Sequence, residues 1–421
     1  MPLSGLSFRG LEEPSEIDAF FRLALRSLVP ETPTDELPQR AAGWRDWVIR
    51  DPRYVPGQLR GAFLGERLVG GCIVYERWLP FGPARLRTGC VGGVAVEADS
   101  RHLGIGSALM DDVLAYARAR GQTLLLLDGI PGFYRRLGYM DMLDYVEHAV
   151  ECAAILTAPE SPYHIRTAKP DDAQALLGLY HRHFGPYLGR FERSLEQQQR
   201  NIESHPPFNP IYLAVDEKGQ PRGYLLFDWE HRGAHAAEVA ADDWPATLAL
   251  LQHHAREVTK LPEPASEVHW PLPPDSPALF AIADRMPVRS ETRIRPDDGW
   301  MARPASLPAL FQALLPLWRE RWQRVAPPWI GVLALEVGDE REGAACALEF
   351  GQGSLRMVEY DPTNPHQTHF SQQAFVQLLF GYRSLAWLAE QPGQSLPKEL
   401  WPALEVLFPP VRAWIPGTDA F

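Results

Sequence analysis

The stretch GGVAVEADSRHLGIGSALMDDVLAYARARG, residues 92–121, concentrates the residue types suited to holding a phosphate. Val94, Ala95 and Val96 read as the end of an apolar strand, and Arg101-x-x-Gly104-x-Gly106 follows where a helix opens. A helix N-terminus presents about four N–H groups without intrahelical partners and roughly half a positive charge. Gly104 and Gly106 carry no Cβ, so a diphosphate can sit directly on those donors, and Arg101 sets a fixed charge beside them. Two glycines and an arginine alone describe an unliganded strand-to-helix turn equally well. The surrounding pattern has to separate the two.

The helix that must present this loop is well formed in the sequence. Ile105, Leu109, Val113 and Ala117 repeat every four residues, Gly106, Met110 and Leu114 fill the adjoining row, and Gly121 ends it. Upstream, LSFRGL reads as a strand and SEIDAFFRLALRSLV as a helix. The runs QLRGAFL, RLVGGCIVYERWL and LRTGCVGGVAV follow as strands. Downstream come a buried-strand run, TLLLLDG, a short helix, GFYRRL, closed by Gly138, and YVEHAVECAAIL. This alternation predicts an α/β (α+β) chain with mixed sheets. TAPESPYH reads as a linker, after which IRTAKPDDAQALLGLYHRHF repeats the strand–turn–helix order of the N-terminus. From RPDDGWMARP onward, strands grouped between helices predict a small α+β domain. The expected domains are therefore 1–150, 151–295 and 296–421.

The Arg101–Gly106 passage resembles motif A of the GNAT superfamily (Gcn5-related N-acetyltransferases), Arg/Gln-x-x-Gly-x-Gly/Ala after a hydrophobic strand. Some 30 residues on, GFYRRLGY resembles that family's closing motif. The resemblance implies acetyl-CoA as co-substrate and no metal. It implies that Val94, Ala95 and Val96 pair with the pantetheine arm, the Val96 N–H polarising the thioester carbonyl. Arg101, His102, Leu103, Gly104, Ile105, Gly106 and Ser107 would bind the pyrophosphate. Tyr134 would protonate the departing thiolate. A glutamate that many members keep on the preceding strand is absent: LRTGCVGGVAV holds no carboxylate before Glu97.

Across the whole chain the layout resembles the Eis (enhanced intracellular survival) group: tandem GNAT folds followed by a domain similar to sterol carrier protein 2. That resemblance implies acetylation of a primary amine on a small polyamine, an aminoglycoside-like molecule or a lysine. It also implies a homo-oligomer, a hexamer in particular, and a terminal carboxylate, here that of Phe421, in the active site. Two departures temper it. The second copy lacks an Arg-x-x-Gly-x-Gly, reading VAADDWPATLALLQ, so it is expected to be structural. The helix segment FRLALRSL carries no acid to hold a polyamine. The competing reading is a non-catalytic acyl-CoA- or lipid-binding protein. Phe20, Phe21, Trp44, Trp47, Trp78 and Phe81 could line an acceptor pocket, although large aromatics are more often core. The same habit places Trp318, Trp322, Trp387 and Trp401 in core or interface rather than around a lipid.

Composition narrows the partners. The net charge of -12 is spread along the chain with no basic segment, which argues against a nucleic-acid surface. Cys72, Cys90, Cys152 and Cys346 lie far apart without metal-ligand spacing, so neither a zinc site nor a disulfide framework is expected, and a reducing, cytoplasmic setting is. No run is long or apolar enough to predict a membrane span or a signal peptide.

Overall fold

A computed structural model describes residues 5–204, 210–228, 233–325, 327–338, 342–419 and 421. The chain divides into two compact units, one built from residues 1–143, 295–413 and 421, the other from 144–294 and 414–420.

In the first unit the chain runs β1 (Leu6–Gly10), α1 (Pro14–Leu28), α2 (Leu37–Ile49), β2 (Leu59–Leu64), β3 (Arg67–Phe81), β4 (Ala84–Val96), α3 (Ile105–Ala119), β5 (Leu124–Asp128) and β6 (Met140–Asp141). Proline at its first position suits α1, whose missing N–H would have no helical partner. The helix buries Phe20, Phe21, Ala24 and Leu25, each large side chain stabilising the fold by about 1.5–3 kcal/mol. Helix α3 buries Ile105, Leu109, Met110, Val113, Leu114 and Ala117, both rows of its predicted stripe. Gly121 stops it at φ +70°. Gln122 N–H bonds the Ala117 carbonyl and Gly121 N–H that of Arg118, which together satisfy the last turn. Strand β5 is solid leucine, Leu124–Leu127 being fully buried, as a strand covered on both faces requires.

The second unit contains β7 (Tyr145–Glu151), α4 (Cys152–Thr157), β8 (His164–Thr167), α5 (Ala173–Phe184), α6 (Leu195–Ser204), β9 (Tyr212–Val215), β10 (Pro221–Phe227), β11 (Ala236–Ala241), α7 (Trp244–Val258), β12 (Glu267–Trp270), α8 (Pro277–Ala283) and β13 (Arg289–Arg293). Its antiparallel sheets have the orders β11-β10-β9-β8 and β12-β7-β13. Beneath them Arg193 is buried between Glu238 (3.0 Å) and Asp419 (2.8 Å), with Tyr180 and Tyr224 donating to the two carboxylates. Each buried charge is thereby both paired and hydrogen-bonded.

The chain then returns to the first unit with β14 (Trp300–Pro304), α9 (Leu307–Val325), β15 (Gly331–Gly338), β16 (Gly343–Gly351), β17 (Ser354–Val358), β18 (Gln367–Phe370), α10 (Gln372–Leu379), α11 (Leu385–Ala389) and α12 (Trp401–Leu407). Strand β14 inserts between β5 and β6 and completes a seven-stranded sheet, β1-β2-β3-β4-β5-β14-β6. A further mixed sheet, β17-β16-β15-β18, has β15 and β18 parallel. Trp318 and Trp322 of α9 are fully buried, whereas Trp387 is exposed. The fold is thus mixed α/β, as the alternating pattern of the sequence predicts.

Candidate active site

The site grows from the place where β4 leaves β5. These two strands run parallel from Thr88↔Leu124 to Val91↔Leu127, and among the described residues the ladder stops there although β4 continues to Val96. On its other side β4 stays paired with β3, but the register slips between Gly71 and Ile73, with Gly93 at φ +62° in the extra residue. A bulge of this kind bends the strand and turns its far end away from its neighbour. Val94, Ala95 and Val96 therefore lie on a strand end that β5 does not cover. Their peptide groups suit pairing with an extended chain carrying amides of its own.

The chain then enters the loop Arg101–Gly104, all four residues of it exposed. His102 takes φ +64° and Gly104 φ +81°. Left-handed backbone costs a non-glycine residue about 1–2 kcal/mol, so His102 holds local strain next to the helix start. Helix α3 begins at Ile105 with no side-chain cap and no acid in its first turn. The starts of α7, α8, α10 and α11 are each closed by an Asp or Ser side chain, whereas α1, α2, α4, α5 and α12, like α3, have no such cap. A Cβ at Gly104 would meet nothing within 4 Å, so that approach is open. A Cβ at Gly106 would stand 3.2 Å from the Phe133 ring, which the glycine lets settle against the first turn. Arg101 Nε donates to the Val96 carbonyl (3.2 Å). Arg136 reaches Ser107 Oγ at 3.4 Å while lying over Phe133. Arg136 was not singled out in the sequence, because its nearness to the α3 N-terminus depends on the turn after β5.

Phe133 and Tyr134 stack edge to face at 4.8 Å, and Tyr139 lies 5.8 Å beyond. Tyr134 is 5 % exposed. Burial, then the charges of Cys72 and Asp128, push its phenol well above the ordinary tyrosine range, so it keeps its proton. The motif residues 94–96, 101–107 and 134 thus share one corner, tied through the contacts of Gly106 with Phe133 and the Val96 side chain.

Phe421 lies against the same strand. Its carboxyl carbon stands 3.0 Å from where a Cβ on Gly92 would be, two residues before Val94. Its ring packs edge to face on Trp300 at 5.2 Å and near Tyr75 at 6.3 Å. Trp44 borders the bulge, 3.3 Å from a Cβ built at Gly93, and packs on Phe21 at 5.2 Å. Trp300 carried no signal in the sequence, since its place beside β4 exists only because β14 joins the first sheet. Glu97 is held by Arg67 at 2.7 Å. Among the described residues of the second unit, the start of α7 is closed, its Asp243 side chain accepting from the Ala246 N–H, and Asp242 is paired with Arg182 and His183.

Residues 8–141 match the family described as Acetyltransferase (GNAT) domain. Among solved structures, the chain is similar to a GCN5-related N-acetyltransferase from Kribbella flavida (TM-score 0.72, 19 % identity, 99 % of this chain and 100 % of that one). It is also similar to one from Anabaena variabilis ATCC 29413 (TM-score 0.73, 13 % identity, 99 % and 100 %). Eis1 from Mycobacterium abscessus aligns with TM-score 0.64 at 18 % identity, again over 99 % and 100 %. These likenesses establish the fold. No curated protein matches the sequence. Among the described residues no helix is long and apolar enough to cross a membrane.

Proposed function

Because residues 8–141 form a GNAT domain, and the chain therefore carries an N-acetyltransferase domain, we propose that it transfers the acetyl group of acetyl-CoA to a primary amine at the Gly92–Tyr134 corner. The observation that carries the reading is the uncovered end of β4 beside an uncapped helix N-terminus. The pantetheine amides add to Val94–Val96 as a further strand would, and the diphosphate rests on the N–H groups of residues 104–107 with Arg101 beside it. The Val96 N–H polarises the thioester carbonyl as oxyanion character develops. The amine nitrogen attacks that carbonyl, the C–S bond breaks, and Tyr134 gives its proton to the sulfur. In water a phenol (pKa about 10) and a thiol (about 8.5) differ little. Burial raises both, so the transfer stays inexpensive in the dry site.

The carboxylate of Phe421 orients the incoming ammonium. As a direct base in water an α-carboxylate is about seven units too weak for an alkylammonium, so its role is to anchor, with the proton leaving through water. Residues 296–421 are taken to be similar to sterol carrier protein 2 and the assembly to be a homo-oligomer, a hexamer by analogy with the Eis group. Light scattering that finds only monomer across micromolar concentrations would refute the latter. The test of the activity is thiol release from acetyl-CoA over a panel of amines, polyamines, aminoglycosides and lysine peptides. Binding of acetyl-CoA with no thiol release from any amine would favour a non-catalytic binding protein.

A further inference from the structure

In the second unit, two histidines and a glutamate from three separate stretches meet on one sheet face. Strand β12 pairs with β7 through His269↔Ala149, and His235 forms a bridge with His269. Alternate residues of a strand share a face, so Glu147, His269 and His235 stand side by side. Glu147 Oε1 lies 2.5 Å from His235 Nδ1, and Oε2 lies 3.2 Å from His269 Nδ1. The imidazoles are stacked with centroids 4.1 Å apart and planes 14° from parallel. Their backbones are pinned: Asp228 N–H donates to the His235 carbonyl (2.8 Å) and His269 N–H to that of Ala234 (3.0 Å). Side-chain exposures of 20 %, 20 % and 23 % leave the cluster reachable from water.

We infer that Glu147, His235 and His269 form a binding site for a divalent transition-metal ion of the zinc class, liganded by both Nδ1 atoms and the carboxylate. One candidate ligand atom from each of the three residues can be chosen so that all lie within 4.8 Å of one another. Ligands at 2.0–2.1 Å around a tetrahedral ion stand about 3.3 Å apart, so the 2.5 Å Glu147–His235 contact opens by about 0.8 Å and separations of up to 4.8 Å close by as much as about 1.5 Å to admit one. A dication takes both imidazole lone pairs and keeps the carboxylate. Two imidazole donors select zinc, nickel or copper over magnesium and calcium, which prefer oxygen throughout. Glu267 lies 3.9 Å from the far nitrogen of His269, beyond hydrogen-bond distance, and its nearer oxygen is held by Arg289 at 2.5 Å. Among the described residues three protein ligands are available, which leaves a further position on a tetrahedral ion. The residues lie 88 and 122 positions from Glu147, a spacing no metal motif would reveal.

The test uses the full chain, stripped with chelator and then titrated with zinc chloride by calorimetry and with cobalt(II) by visible absorption. The expected result is one equivalent per chain and tetrahedral-type cobalt bands. Glu147→Gln and His269→Gln should each weaken zinc binding by about tenfold or more. Acetyl-CoA binding, which belongs to the other unit, should be unchanged, and a thermal melt without zinc reports that the variants fold. Zinc should raise the melting temperature of the unaltered chain, reversibly with chelator, and magnesium chloride should not. Should a variant fail to fold, that melting comparison decides. No zinc bound and no rise in melting temperature, or variants that bind zinc as the unaltered chain does, would overturn the site and leave a plain hydrogen-bonded triad.

Discussion

Gly92→Ala perturbs chiefly the position of the Phe421 carboxylate, with Tyr75 the other close neighbour. The backbone at residue 92 is outside the left-handed region, so alanine adopts it without strain. The difficulty is local: the new methyl would stand 3.0 Å from the Phe421 carboxyl carbon, 3.2 Å from its oxygen and 3.3 Å from Tyr75 Cε2. Optimal carbon contacts are about 3.5–4.0 Å, so the carboxyl has to retreat by about 0.5–1 Å. A misplacement of about 1 Å in a reacting constellation costs about a hundredfold in rate. The expected fall in kcat is therefore about ten- to hundredfold, or about 1.4–2.7 kcal/mol in the barrier. Thiol-release kinetics supply kcat, titration supplies acetyl-CoA affinity, and a thermal melt supplies stability. Affinity should change less than about threefold, because the diphosphate contacts lie twelve or so residues further on. Full kcat in this variant, with the fold intact, would show that the Phe421 carboxylate does not take part. Appending one glycine after Phe421 should reproduce the loss without touching β4.

The other expectations follow from the same geometry. Gly104→Glu should lower acetyl-CoA affinity at least about tenfold by repelling the diphosphate, while stability falls by about 1–2 kcal/mol from the left-handed backbone; unchanged affinity would refute the loop assignment. Tyr134→Phe should cut kcat by about 10²–10⁴ with acetyl-CoA affinity retained, and equal losses in both would mean a packing role instead. His254 tests the second unit by pH. Burial, countered in part by the Gly233 carbonyl, lowers its pKa to about 3, and its Nδ1 accepts from Trp270 Nε1 at 2.9 Å, so the folded state holds it neutral. Its folded pKa lies below the unfolded value of about 6.5. Stability is therefore full above pH 6.5 or so and falls by about 1.4 kcal/mol per pH unit as the unfolded chain takes up the proton on the way down towards 3. Urea melts of the unaltered chain and His254→Gln between pH 4 and 7 should differ in that slope, and identical slopes would contradict the assignment.

The elements that hold the Arg101–Ser107 loop are legible because their signals are local. The four-residue rows of α3, the solid leucine of β5 and the glycine stop at residue 121 follow from side-chain periodicity and from glycine's tolerance of positive φ. The spacing of Arg101, Gly104 and Gly106 was legible for the same reason: a backbone cradle needs absent Cβ atoms at fixed offsets along one turn. Long-range pairing was decided only in three dimensions. Nothing within residues 300–304 says that they slide between β5 and β6, or that Trp300 will floor the Phe421 ring. The bulge at Gly93 is invisible to alternation because an extra residue matters only against a partner strand. Glu147, His235 and His269 carry no local signal, and only the pairing of β7 with β12 and the His235–His269 bridge bring three separate side chains into one cluster. Sequence records what each segment prefers on its own, whereas strand pairing depends on which segments win each other once the core closes. That competition placed Trp300 beside Phe421 and the two histidines beside Glu147.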